Sequence, residues 1–109
     1  MRGFDSIPGE TDAPLDSGRN EKPVPTLSTF YGIVIQMFWA DHAPPHFHAL
    51  YAEHEVLIDI RDLRVLRGSL PRRALALVLE WSAEHRDELM EDWNLCSQLK
   101  PPRRIEPLK

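Results

Sequence analysis

The segment Asp41-His42-Ala43-Pro44-Pro45-His46-Phe47-His48 places three imidazoles and a carboxylate within eight residues. On a strand, His46 and His48 point to the same face because side chains alternate with period two, and Phe47 points to the other. Two neighbouring imidazoles can share a metal, a phosphate or a proton. Asp41 or His42 can join them across the stiff Pro44-Pro45 turn. Imidazole nitrogens with one carboxylate suit zinc, nickel or iron(II), which makes His46, His48 and Asp41 candidate ligands for a divalent transition metal. The same residues, with His42, are candidates for general acid and base work, since imidazole titrates near neutral pH. A plainer reading stands beside this one. Two histidines on a strand also make an ordinary exposed polar face, and Asp41-His42 suits a turn in which the carboxylate bonds back to the chain. His54, between Glu53 and Glu55, reads as solvated turn surface, and His85 as a packed or boundary residue.

A second cluster is cationic. Arg61, Arg64, Arg67, Arg72 and Arg73 face only Asp62 over thirteen residues. Arg72 and Arg73 fall where a helix should start, a position whose dipole favours anions, so with Ser69 they form a candidate anion-binding set. The Arg61–Arg73 stretch is also a candidate contact for nucleic acid. The alternative is a solvated arginine surface. Glu80, Glu84, Asp87, Glu88, Glu91 and Asp92 oppose only Arg86, and such an acidic half-helix disfavours nucleic acid along its own surface. Opposite patches on one small domain suit a protein partner or self-association.

The elements that must position these groups follow from periodicity. Ile33–Trp39, rich in β-branched and aromatic residues, predicts a strand buried on both faces or nearly so. His46–Tyr51, Val56–Ile60 and a short Arg64–Leu66 predict three more, and the short links between them imply antiparallel hairpins. From Ser69, read as a helix cap, the spacing changes. Ala74, Leu77, Val78, Trp81, His85, Leu89, Trp93 and Cys96 follow at steps of three and four, with no Gly or Pro among them. This predicts one long helix from about Leu70 to about Ser97; two helices with a kink near Ser82–His85 are the alternative. A continuous rod would leave Leu89 and Trp93 as an exposed apolar patch. Arg103–Leu108 reads as a tail or edge strand. The expected fold is therefore α+β, a small antiparallel sheet of three or four strands packed against one long C-terminal helix.

With 109 residues, 42% hydrophobic and 28% charged, the chain holds one globular domain. Its net charge of −4 argues against a wholly basic nucleic-acid coat. A single cysteine, Cys96, excludes an internal disulfide and a cysteine-rich zinc site, and points to the cytoplasm. No apolar run is long enough for a membrane span. Residues 1–23, rich in Pro, Gly and acids and without apolar periodicity, predict a disordered extension, leaving 24–109 as the domain. No Ser-His-Asp arrangement, phosphate-binding loop, dinucleotide fingerprint or Cys-x-x-Cys pair is present.

Pro25-Thr26-Leu27-Ser28, Phe30-Tyr31-Gly32, the Asp41–His48 segment, Gly68-Ser69-Leu70-Pro71, Glu80-Trp81, Leu89 and Trp93 together resemble the small bacterial family catalogued as domain of unknown function 4160, over about residues 24–108. The resemblance implies a stand-alone bacterial or phage-borne domain encoded beside a second small gene. It further implies one component of a toxin–antitoxin-like or transcriptional-regulatory module that binds a protein partner from the neighbouring gene, and it supplies no reaction. The residues themselves leave open a small hydrolase or nuclease, with His46 and His48 as acid, base or metal ligands and Arg72 or Arg73 holding a phosphate. Members of the family start at Met-Pro-Thr where this chain has Val24-Pro25-Thr26. Residues 1–23 are accordingly expected to be an extension ahead of the natural start, not translated or dispensable.

Overall fold

The computed structural model describes residues 23–109, so the expectations for residues 1–22 lie outside the described residues. Strands β1 (Thr26–Phe30) and β2 (Ile33–Gln36) are joined by Tyr31-Gly32, both at positive φ (50° and 81°), as a tight two-residue hairpin requires. Strands β3 (His46–Tyr51), β4 (His54–Asp59) and β5 (Val65–Ser69) continue an antiparallel meander in the order β1-β2-β3-β4-β5. The sheet has five strands rather than three or four. Thr26–Phe30 is the addition. It is short, and a bulge between Thr26 and Ser28 breaks its alternation, so that Leu27 and Ser28 are both buried.

One face of the sheet carries Phe30, Ile33, Ile35, Phe47, Ala49, Val56 and Ile58, all buried. The helices lie on this face. α1 (Arg72–Glu84) turns Ala74, Val78 and Trp81 inward, and the Trp81 ring lies 5.4 Å from Phe30 and 6.0 Å from Phe47. The single long helix is not present. The helix breaks at His85, and α2 (Arg86–Ser97) begins with Asp87 and Glu88 in its first turn, where the dipole favours them. The change of direction buries Leu89 and Trp93, so no exposed patch forms there. Ser69 does not cap the helix: it ends β5, and Pro71 occupies the cap position without a side-chain bond. Arg103–Leu108 forms no strand. Its Ile105 N–H donates to the Leu27 carbonyl (2.8 Å), and the Glu106 carbonyl accepts from the Trp81 indole (2.7 Å).

The opposite face is less fully covered: Val34, Gln36, Leu57 and Arg67 keep exposure there, while Trp93 of α2 packs 5.2 Å from His46 at its end. Strand β2 is therefore not buried on both sides: Ile33 and Ile35 are fully buried, while Val34 and Gln36 are partly exposed. Cross-strand register lines up Gln36, His48, Leu57 and Arg67 as one row over β2, β3, β4 and β5 on this open face.

Candidate metal centre

Each group in the cluster is held by a different local device. The chain leaves β2, passes Met37–Ala40, and turns back through Pro44-Pro45, whose missing N–H groups and fixed φ keep the turn out of helix and ladder. The Ala40 N–H donates to the Cys96 carbonyl and the Ile60 N–H to the Pro45 carbonyl, which ties the turn to α2 and to the end of β4. Asp41 bends back on the chain: its Oδ1 accepts the His42 N–H at 2.8 Å. Its Oδ2 then faces His46 Nε2 at 3.0 Å and His48 Nε2 at 3.5 Å. These three donor atoms lie within 4.8 Å of one another.

The other ring nitrogens define the tautomers. His46 Nδ1 lies 2.8 Å from the Pro44 carbonyl, which can only accept, so Nδ1 carries the hydrogen. His48 Nδ1 lies 2.9 Å from Glu55 Oε2, and an ionised carboxylate likewise only accepts. In the neutral rings both Nε2 atoms are then bare lone pairs pointing at a carboxylate. A proton on His46 Nε2 would satisfy its 3.0 Å contact. His48 Nε2 is different, because it is buried and has no hydrogen-bond partner. An orphaned polar atom of this kind carries a desolvation cost that a ligand removes. Around a tetrahedral zinc with bonds of about 2.0–2.1 Å, neighbouring ligand atoms sit about 3.3 Å apart. The separations of 3.0 and 3.5 Å from Asp41 Oδ2 bracket that value.

Packing fixes the rings. Phe38 stacks on His48 at 3.9 Å with 9° between planes, and the Trp93 ring lies 5.2 Å from His46. Both imidazoles are nearly buried, at 6% and 5% exposure. Burial acts to raise the Asp41 carboxyl, but the His42 N–H, the charge of His46 and the side-chain contacts of His48 and His46 outweigh it, and the pKa is lowered. The three donors open on a depression of about 480 Å³ lined by Phe38, His42, Leu57, Leu66 and Arg67 among others.

Asp41, His46 and His48 are thus together, while His42 stands at the rim with its ring outside the cluster. Ser69, Arg72 and Arg73 do not line this depression. Arg73 lines a separate cavity of about 310 Å³ with Tyr31, Tyr51 and Leu77. Sequence reasoning missed Glu55, and it named Arg67 only within the Arg61–Arg73 cluster without connecting it to the histidines. The two-residue link Ala52-Glu53 sets a register in which Glu55 falls diagonally across from His48, and that register had to be known before Glu55 could be assigned. No helix among the described residues is long and apolar enough to cross a membrane.

The fold is an α+β domain with an antiparallel five-stranded sheet and two helices, and Asp41, His46 and His48 form a cluster whose donor atoms could hold a metal ion. The chain belongs to the family described as a domain of unknown function (DUF4160), which matches residues 32–94. That range includes the whole Asp41–His48 cluster, Glu55 and Arg67. Comparison with curated proteins and with solved structures returned no match.

Proposed function

We propose that the domain is a small metal-dependent hydrolase whose divalent transition metal is held by Asp41 Oδ2, His46 Nε2 and His48 Nε2. The observation that carries this reading is the buried, unpartnered His48 Nε2, aimed at the same carboxylate oxygen as His46 Nε2. Glu55 on the far nitrogen of His48 and the Pro44 carbonyl on that of His46 are the outer partners that orient metal-bound histidines. Three protein ligands leave a coordination position for water or substrate, the arrangement of catalytic rather than structural zinc. Such an ion lowers the pKa of bound water and polarises an ester oxygen. His42, which lines the same depression, is the residue that would carry a proton to or from it in this reading.

The test is metal titration of the purified full chain, with Co²⁺ absorption as the reporter, followed by assay of nitrophenyl acyl and phosphate esters with and without metal. One equivalent bound by the parent and none by His48→Gln supports the reading. Absence of stoichiometric uptake overturns it. Uptake without metal-dependent turnover removes the hydrolase and leaves a metal-binding domain.

A second reading is favoured by β5. Every residue of this edge strand is exposed, including Val65, Leu66 and Arg67, and Arg64 precedes it. Here the domain is one component of a two-gene toxin–antitoxin-like or regulatory module, with a partner strand pairing along that edge. Nucleic acid at Arg61–Arg73 and self-association are the rival occupants. Co-purification with the product of the adjacent gene, lost on Val65→Lys, tests it.

A further inference from the structure

The depression beside Asp41, His46 and His48 contains a cation that the metal reading does not use. Arg67 sits in the same cross-strand row as His48, with only Leu57 between them. Adjacent strands are about 4.8 Å apart, so the two backbones are separated by about 10 Å, and both side chains rise from the same face. Arg67 lines the depression together with the three donor residues. Its neighbours in sequence are otherwise occupied or turned elsewhere: Arg64 pairs with Asp62 at 3.6 Å, whereas Arg67 has no carboxylate partner among the described residues. Of the two acids on β4, Glu55 is spent on His48 Nδ1 at 2.9 Å and Asp59 accepts the Arg61 and Asp62 N–H groups.

We propose that Arg67 and the metal together bind a phosphoryl group, so that the substrates are phosphate esters of a compact apolar or aromatic body. This rests on the metal reading above and adds the class of ligand to it. The charge follows first. A divalent ion and Arg67 exceed the charges of Asp41 and Glu55, so the loaded depression is positive and the empty one is not. Anion binding therefore depends on metal. The number of oxygens follows next. A guanidinium fork engages two oxygens in parallel, and the ion takes a third. A phosphoryl group supplies all three, and a carboxylate supplies two. The walls follow last. Phe38, Leu57, Leu66 and Pro44 are apolar, and a depression of about 480 Å³ is in the range that encloses a small ligand.

Arg67 thereby takes the role that sequence reading gave to Arg72 and Arg73. Those two follow β5 at the end nearer Ser69, opposite Glu55, and Arg73 borders the other cavity. Their separation from the imidazoles is set by the direction of β5, which carries the chain away from the metal end of the sheet.

The experiment uses the full chain loaded with one equivalent of Co²⁺. Phenylphosphonate, which cannot be hydrolysed, and benzoate share a ring and differ in the anion. Phenylphosphonate is expected to perturb the Co²⁺ absorption and to bind at least tenfold tighter than benzoate. Arg67→Gln should lose at least tenfold in phenylphosphonate affinity with Co²⁺ affinity in the absence of anion unchanged, Arg67→Lys should recover part of it, and Arg72→Gln should match the parent. By linkage, phenylphosphonate should tighten Co²⁺ binding by the same factor by which Co²⁺ tightens phenylphosphonate. Equal phenylphosphonate affinity in Arg67→Gln and parent, or benzoate binding as tightly as phenylphosphonate, overturns this inference while leaving the metal centre standing. Failure of Co²⁺ uptake overturns both.

Discussion

His48 is held from both sides, and the two sides have different consequences. Glu55 fixes the hydrogen on Nδ1, while Asp41 provides the carboxylate that Nε2 faces. Glu55→Gln keeps the shape but presents an amide, which neither holds the tautomer as firmly nor donates charge through the ring. Metal affinity should fall by about 10–100-fold, the usual effect of losing an outer partner, with the far-UV spectrum unchanged. Competition against a chromophoric chelator measures it, and an unchanged affinity would separate Glu55 from the site. The first half of this arrangement was legible in the sequence, because Asp41, His46 and His48 are local: a turn and two strand positions suffice to bring them together. The second half was not. Glu55 and Arg67 reach the site from β4 and β5, and their placement needs the register of two hairpins. Against a plain acidic turn at Glu53-His54-Glu55, nothing in the residue types marks one of the three as different.

At the scale of elements, the break at His85 determines what is buried. The Ser82 hydroxyl bonds back to the Leu79 carbonyl, the His85 N–H donates to the Ser82 carbonyl, and the His85 ring packs on Trp81 at 5.4 Å. The alternative of a kink near Ser82–His85 is the one the structure adopts; periodicity could not decide for it, because Trp81, His85, Leu89 and Trp93 keep steps of four across the break, and Asp87 and Glu88 were the available sign of a new N-terminus. Trp81 is the hinge of the packing, fully buried and bonded through its indole to the Glu106 carbonyl. Trp81→Ala should cost about 3–5 kcal/mol in urea unfolding, as large aromatic deletions from cores do. Gly68, at φ 77°, is the matching point in the sheet: a Cβ there would lie 2.2 Å from the Glu55 carbonyl oxygen. Gly68→Ala should therefore shift β5 away from β4 and weaken ligand binding at Arg67 more than metal binding at His48, read by the same two titrations.

Asp92 on α2 supplies a pH dependence of the same element. Burial pushes its carboxyl up to about 6; the Arg103 N–H bond and the Arg103 charge oppose this, and the nearby charges of Glu91 and Glu88 add to it. Cys96, also facing it, is pushed up to about 11 by burial and by the Asp92 charge. An acid whose folded pKa lies above its unfolded value of 3.8 binds more protons when folded, so its contribution to stability is greatest below about 4 and is lost as pH rises through about 6. The loss amounts to about 1–3 kcal/mol. Asp92→Asn retains an acceptor for the Arg103 N–H and removes the titration. Relative to the parent, it should become progressively more stable between pH 4 and 7 in urea unfolding. A parallel offset at all pH values would exclude the carboxylate as the cause.

For the whole molecule, the open face of the sheet is where most of the uncommitted chemistry lies. Helix α1 packs on the face that Ile33, Ile35, Phe47, Ala49, Val56 and Ile58 make apolar, which the reading of Ile33–Trp39 as a strand buried on both faces did not anticipate. The donor set and its outer partner join three parts of the chain: the β2–β3 turn through Asp41, β3 through both histidines, and β4 through Glu55. A metal there ties the end of the sheet together, and its binding free energy becomes folding free energy. At a free concentration of 100 times the dissociation constant, the stabilisation is about 2.7 kcal/mol if the unfolded chain does not bind. The unfolded chain does retain some affinity, since Asp41, His46 and His48 remain within eight residues of one another. It lacks Glu55 and the fixed ring planes, so a substantial part of the difference persists. With 1 kcal/mol shifting Tm by about 4–8 °C in a domain of this size, zinc should raise Tm by about 5–15 °C over the chelator-treated protein. Calcium, which prefers six to eight oxygens, should not. His48→Gln should melt at the same temperature with zinc as with chelator. If the parent behaves that way too, Asp41 and the two histidines hold a proton rather than a metal, and the sheet end is stabilised by the cluster itself.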